Sequence, residues 1–306
     1  MKRVLHFSNK PPYPSLDGGC VAIKHLLEAL VNANQFEVHH FTLDTHKHPF
    51  NITHYPEFLQ NNISIQHCFL NTKTRPLHAL KHLITNSSYN VGRFKNLNVK
   101  KRLKQLLKIT PFDLVILESI YLLPYLDLFQ SFGVKVVVRT HNVEHHIWEG
   151  LAQNEAKRLK RNYLSLLVKQ LKKFEFNALK QVDGIINITS EDDETFIHNG
   201  VILPSIVIPP IVETSNTIPD YQLNDFYFLG AMDWLPNTEA LEWLKKEVLP
   251  LVSLPVQVHL AGKGGKKEHT SDTKIVQHGE VPNAQDFMNA HGICLIPLQS
   301  GSGIKI

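Results

Sequence analysis

Cysteine is scarce in this 306-residue chain: Cys20, Cys68 and Cys294 are its only three, and they lie far apart. They form neither a disulfide framework nor a Cys-x-x-Cys metal pattern. This excludes a small secreted fold held by bridges and points to a reducing, cytoplasmic setting. Long apolar runs are missing too. Nothing approaches the ~18–20 residues that span a bilayer. The N-terminal MKRVLHFSNKPPYP has too few apolar residues before Ser8 for a signal-peptide core, and it reads as a first strand. The Asn-x-Ser/Thr matches at Asn51, Asn62, Asn86 and Asn187 are then chance occurrences. A strong charge of one sign is also absent. A net +4 from 32 basic and 28 acidic residues gives no nucleic-acid footprint, and no nucleic-acid partner is expected.

What the chain does have is alternation. Short β-branched runs read as strands at 3–8, 36–43, 63–70, 113–119, 135–140, 184–190 and 205–212. Helix-period segments such as VAIKHLLEALV (21–31) and NVKKRLKQLLK (98–108) lie between them. Near-continuous apolar strands alternating with helices predict an α/β fold, with parallel sheets covered on both faces. The longest helical stretch runs from about 144 to 179. It places Leu159, Tyr163, Leu166, Leu167, Leu171, Phe174 and Leu179 near one face and lysines opposite. That lysine face reads first as a solvated surface and second as a peripheral contact with an anionic membrane.

At 209–225 the texture changes to prolines and turn formers without a period, an interdomain connector between an N-terminal domain at 1–208 and a second unit at 226–306. In the second unit the alternation restarts with strands at 226–234, 256–262, 274–281 and 292–298 and helices at 237–249 and 283–290. At about 80 residues it reads as unfinished.

Five stretches carry chemistry. In PPYPSLDGGCVAIKHLLEAL, Gly18 and Gly19 precede a helix, where paired glycines let backbone N–H groups approach an anion; the spacing is not that of a dinucleotide fingerprint, and a plain turn fits as well. In VVVRTHNVEHHIWE, the residues Arg139, His141, Asn142 and Glu144 sit where a parallel strand ends, the edge at which open α/β sheets bind ligands. His141 and His145 are four apart, but the order is not His-Glu-x-x-His, and no metal is assigned. Gly230 in FLGAMDWLPNTEALEWL ends a strand before a capped helix. VHLAGKGGKKEH interleaves Lys263 with Gly262 and Gly264, which suits a phosphate or simply a solvated loop. PLQSGSGIKI offers consecutive N–H groups over Gly301, Ser302, Gly303 and Ile304, with the charge of Lys305 beside them.

Together KPPYPSLDGG, SYNVGRF (88–94), RTHNVEHHIWE (139–149), FLGAMDWLPN (228–237) and IPLQSGSGIKI (296–306) resemble, in order and spacing, the bacterial group 1 retaining nucleotide-sugar glycosyltransferases. The resemblance covers essentially the whole chain. It implies a GT-B fold of two Rossmann-like domains, with the acceptor on the first and a nucleotide-diphosphate sugar on the second. His141 would contact the transferred sugar. Gly18, Gly19, Arg139, Asn142 and Glu144 would line the acceptor side. Gly230, Lys263 and residues 301–305 would face the donor diphosphate, with Val281 and Pro282 near the base. The implied co-substrate is the nucleotide sugar, no further cofactor is required, and the implied acceptor is a cell-surface glycan or its lipid-linked precursor. Two departures stand out. GAMDWLPN lacks the Arg and Lys that many members use to neutralise the leaving diphosphate. The chain also stops where the family continues into a helix bearing Lys and an acid. A truncated chain of this kind is expected to bind donor weakly and turn over slowly or not at all. A sugar-nucleotide epimerase of the same fold and a non-catalytic remnant stay open as alternatives.

Overall fold

The computed structural model describes residues 1–211, 225–232, 234–267 and 274–298. The chain packs into two compact units, the first ending at Ile211 and the second made of the described residues from Asp225 onward. Most of the connector expected at 209–225 lies outside the described residues.

The first unit begins with β1 (Lys2–Ser8), α1 (Gly18–Asn32), β2 (Phe36–Asp44), α2 (Glu57–Asn62) and β3 (Ser64–Phe69). It continues with α3 (Pro76–Ile84), α4 (Tyr89–Gly92), α5 (Leu97–Ile109), β4 (Leu114–Glu118), α6 (Leu126–Ser131) and β5 (Lys135–Arg139). It ends with α7 (Glu144–Gln153), α8 (Arg158–Leu179), β6 (Gly184–Asn187), α9 (Ser190–His198) and β7 (Ser205–Val207). All seven strands pair in parallel in the order β3-β2-β1-β4-β5-β6-β7. The order reverses between β1 and β4. Two chain directions diverge there, the position at which open α/β sheets bind ligands at the carboxyl ends of their strands.

Alternation along β1 sorts its side chains. Leu5 and Phe7 enter the main core with Phe41, Leu117, Val136 and Val138, each such burial contributing about 1.5–3 kcal/mol. Parallel pairing then aligns His6 with His40, and Ser8 with Thr42 and Glu118; Glu118 in turn aligns with Arg139. Paired residues share a face, so a polar layer lies on the face opposite Leu5 and Phe7. The helical stretch expected at 144–179 is two helices. It breaks at residues 154–157, and Glu175 of α8 reaches back to accept the first N–H groups of α7, from Glu144 at 2.9 Å and His145 at 3.3 Å. That carboxylate serves as the cap that Val143 lacks.

The second unit comprises β8 (Asp225–Leu229), α10 (Leu235–Trp243), β9 (Gln257–Ala261), β10 (Ile275–Gly279), α11 (Ala284–Ala290) and β11 (Ile293–Cys294). Its strands are again parallel, in the order β10-β9-β8-β11. This repeats the first four positions of the larger sheet. Phe228, Leu241, Leu244, Val258, Leu260 and Ile275 fill its core.

Candidate functional site

At the carboxyl ends of β1, β4 and β5, the buried Glu118 gathers three partners. His6 Nε2 lies 2.9 Å and Arg139 Nη1 3.4 Å from Oε1, and His141 Nε2 lies 2.6 Å from Oε2. Burial would raise the Glu118 pKa. The Arg139 charge and the hydrogen bonds from His141 and His6 outweigh it and hold the carboxyl well below its usual range, so Glu118 is an anion. Both imidazoles therefore donate to it through Nε2–H. His6 Nδ1 then accepts from His40 Nδ1 at 3.0 Å, and His40 Nε2 meets the Tyr55 hydroxyl at 3.4 Å. Burial and the neighbouring His6 push the His40 pKa well down, consistent with a neutral ring. The result is a line of hydrogen bonds from Tyr55 through His40, His6 and Glu118 to His141. Next to Glu118, Ser119 holds φ +106° and ψ 147°, a conformation nearly reserved for glycine and costing about 1–3 kcal/mol. Such strain clusters where a chain must aim a side chain.

His141 is the most accessible of the groups that meet Glu118, with 13% of its side chain exposed. Burial lowers its pKa, partly offset by Glu118, leaving a neutral imidazole whose lone pair is on Nδ1. Glu144 starts α7 and accepts from the Tyr121 hydroxyl at 2.9 Å. Burial and then repulsion from Glu175 raise its pKa to about 7. Burial raises Glu175 to about 7 as well, and it shares a 2.6 Å hydrogen bond with His145 Nδ1. The field of Lys10 acts on both His141 and Glu144, joining the loop after β1 to this edge.

Arg139 corrects the expectation that it faces an acceptor. It is 1% exposed, and Nη1 donates to the Ala22 carbonyl at 2.7 Å. Strand alternation turns it inward beneath α1, where it balances Glu118. Asn142 is half-buried beside His141 and has partners of its own. Gly18 and Gly19 form the first turn of α1, but Asp17 already occupies its positive end. Asp17 accepts from Cys20 N–H at 2.9 Å and Lys10 Nζ at 2.6 Å through Oδ1, and pairs with His48 Nε2 at 3.0 Å through Oδ2. Burial opposes ionisation of Asp17, yet the His48 hydrogen bond and Lys10 charge overcome it and depress its pKa. A second anion there would have to displace that carboxylate. A Cβ on Gly18 would meet nothing within 4 Å, whereas one on Gly19 would stand 2.6 Å from Lys10 Nζ.

In the second unit, glycines stand at three adjacent strand ends: Gly230 after β8, Gly262 after β9 and Gly279 closing β10. Gly230 N–H donates to Ala261 O at 3.0 Å, and Gly262 N–H to Gly279 O at 2.9 Å. Gly262 has φ +139°, and any Cβ there would overlap the Gly230 carbonyl oxygen. Lys263, half-buried, uses its carbonyl to hold Met232 N–H at 2.7 Å. Val281 packs beside Phe287, and Pro282 is exposed. The remaining expected donor contacts, Gly301, Ser302, Gly303, Ile304 and Lys305, lie outside the described residues.

Glu118, His6 and His40 were not singled out from the sequence. The available signal was an ionisable residue inside a strand otherwise apolar on both faces, because such a strand must pair its polar groups internally.

No protein-family model matches the sequence, and no curated protein does. Solved structures match it by fold. Sucrose-phosphate synthase from Thermosynechococcus elongatus is similar with a TM-score of 0.60 at 14% identity, over 97% of this chain and 76% of that one. UGT89C1 of Arabidopsis thaliana, complexed with UDP-L-rhamnose, gives 0.54 at 14% identity, over 95% of this chain and 73% of that one. UGT71G1 of Medicago truncatula, complexed with UDP-glucose, gives 0.53 at 14% identity, over 96% and 72%. Two parallel doubly wound sheets in this order, with these neighbours, place the chain in the GT-B fold of the glycosyltransferases.

Proposed function

We propose that the chain transfers a sugar from a nucleotide-diphosphate sugar to an acceptor hydroxyl, with retention of anomeric configuration, in the assembly of a cell-surface glycan. The observation that carries this reading is the His141–Glu118 pair at the strand switch of the first sheet, in a fold whose solved neighbours include UDP-sugar complexes. His141 contacts the transferred sugar. Glu118 fixes its orientation and tautomer and stabilises positive charge as the sugar becomes oxocarbenium-like. Lys263 and residues 301–305 receive the departing diphosphate, beside glycine-lined strand ends where no side chain blocks its approach. Preorganised donors of this kind are worth about 3 kcal/mol each in a transition state. Asn142 and Glu144 border the acceptor, and Glu144, poised near neutrality, exchanges a proton with it.

One observation favours a second reading. A neutral imidazole anchored by a buried anion is a competent general base toward the acceptor hydroxyl, which would make the transfer inverting. The anomeric configuration of the product, read by proton NMR, separates the two. The decisive experiment supplies a panel of UDP-, GDP- and ADP-sugars with and without acceptors to the chain and its His141→Ala variant. Transfer falling by roughly 10²–10⁴-fold in the variant supports the role. Equal turnover removes it, and donor isomerisation without acceptor identifies an epimerase.

The acceptor we propose is a glycan or lipid-linked precursor, met through a peripheral membrane contact on the cytoplasmic side. No helix among the described residues is long and apolar enough to cross a membrane. On α8, Arg158, Arg161, Lys169, Lys172 and Lys173 are exposed together with Leu159 and Leu166. Such a face suits an anionic surface. Sedimentation with anionic vesicles that matches sedimentation with neutral ones would remove this part.

A further inference from the structure

Three histidines of the second unit converge, and the proposed transfer gives none of them a role. His259 lies on β9, in register with Tyr227 of β8. The β10 ladder shifts between Gln277 and Gly279, and His278 in that irregular step puts Nε2 2.8 Å from His259 Nδ1. His291, immediately after α11, stacks on His259 with ring centroids 3.9 Å apart and planes 17° apart, and stands 5.1 Å from His278. Phe287 closes the side, 4.5 Å from the His291 ring and 5.2 Å from that of His278. One nitrogen from each ring lies within 4.8 Å of the others.

Two features separate this cluster from ordinary packing. His259 is 7% exposed, and its Nε2 has no hydrogen-bond partner among the described residues. An orphaned buried nitrogen costs about 1–3 kcal/mol, which a fold offsets only with some gain elsewhere. Among the described residues, no charged group pairs with the cluster. Asp225 acts on His259 and His291, and Lys267 on His278, with no ion pair to any of the three among the described residues. Three imidazoles in close company disfavour one another's protonation and keep their lone pairs.

We propose that His259, His278 and His291 form a binding site for a divalent transition metal of the zinc class, three imidazoles leaving a fourth position open. Neutral imidazole suits Zn²⁺, Co²⁺, Ni²⁺ and Cu²⁺. With metal–nitrogen bonds of about 2.0–2.1 Å, tetrahedral coordination sets nitrogens roughly 3.3 Å apart. The 2.8 Å contact therefore opens by about half an ångström, and the half-exposed His291 ring tilts out of its stack to close the wider gap. The hydrogen between His259 Nδ1 and His278 Nε2 moves to the far nitrogen of its own ring, and the ion takes the lone pairs of both facing nitrogens and ties β9, β10 and the end of α11 together. Lowering of the His259 pKa to about 4, by burial and then by His291 and His278, agrees with a ligand that is unprotonated near neutrality.

The test uses the full chain, freed of metal by chelation and titrated with Co²⁺ under visible absorption and with Zn²⁺ by calorimetry. His278→Asn and His291→Ala alter half-exposed positions, and circular dichroism establishes that both fold. His146→Ala tests against a second histidine-containing cluster at His145, His146 and Glu149. One equivalent bound by the wild type and by His146→Ala, with intense tetrahedral Co²⁺ bands, is expected. Each cluster substitution should weaken binding at or beyond the upper end of roughly 10–100-fold, the range for merely supporting groups. Zn²⁺ should raise the melting temperature of the wild type but not of the two variants. Absence of binding at micromolar metal, or variants that bind as well as the wild type, would overturn the proposal.

Discussion

Each sheet bridges neighbouring parallel strands with a pair of histidines, and the pairs share ring separation and tilt. His6 and His40 have ring centroids 5.1 Å apart at 30°; His259 and His278 have them 5.1 Å apart at 32°. Their surroundings differ. The first pair ends on Glu118, an anion that also holds Arg139 and His141. The second ends on a third imidazole. A buried carboxylate fixes tautomers and turns a histidine pair into an orienting device with a defined polarity. Without one, the same pair keeps its lone pairs for a cation. The identity of one neighbour, rather than the geometry of the pair, decides what the rings can do.

Replacing that neighbour should have the largest effect. Glu118→Gln leaves the Arg139 charge buried without its counter-ion and takes away an acceptor shared by two imidazoles. Breaking a buried pair in this way costs about 3–5 kcal/mol, and urea unfolding should register it as a lower midpoint. The corresponding change in the second unit, His278→Asn in metal-free protein, removes one neutral hydrogen bond and should cost only about 0.5–1.5 kcal/mol. Equal losses would mean that the two pairs are not different in kind.

This contrast also marks what could be read from sequence. Continuous apolar runs with β-branched residues gave every strand from β1 to β11 to within a few residues, since burial on both faces leaves a strong compositional trace. His141, Glu144 and the glycines were singled out because open parallel sheets bind ligands at their strand ends, and the structure sets His141, Gly230 and Gly262 just beyond such ends. Glu118 showed only as an ionisable residue in an otherwise apolar strand. Its role depends on which strands become neighbours, and DLVILES does not say that β4 will lie between β1 and β5. The break between α7 and α8 was hidden for a similar reason. Helical periodicity continues across 154–157, and the cap that ends the ambiguity is Glu175, some thirty residues away. The convergence of His259, His278 and His291 likewise arises only when β10 slips its register beside β9.

A titration sharpens the comparison. Burial lowers the pKa of His40 and His141 in the first unit and, to about 4, of His259 in the second. Below the unfolded histidine value of about 6.5 the unfolded chain therefore binds more protons than the folded one, and both units lose stability as pH falls. Glu144 and Glu175 act in the opposite sense, and only in the first unit. Raised from 4.5 to about 7, they bind more protons when folded, so their contribution is full below pH 4.5 and fades as pH rises toward 7. Glu144→Gln deletes part of that compensation. The loss of stability between pH 7 and pH 5 should be steeper in this variant than in the wild type, as followed by the urea midpoint at each pH. An unchanged slope would show that Glu144 is ionised in the fold at pH 7.

The smallest effect should come from Gly18→Ala, and it has the opposite sign. Gly18 opens α1 behind the Asp17 cap, its backbone is not left-handed, and an added Cβ would touch nothing within 4 Å. Alanine restricts the unfolded chain without straining the folded one, which should stabilise the protein by about 0.4–1 kcal/mol. Gly19→Ala differs, because its Cβ would press Lys10 Nζ away from Asp17. If a substrate approaches the backbone at Gly18, as the paired glycines suggest, the alanine variant should gain melting temperature yet show a raised KM for that substrate. If the glycine only forms the turn, melting temperature should rise and KM stay fixed. Stability rises in either case and only KM differs, so the two measurements on one variant tell a ligand-facing turn from a structural one.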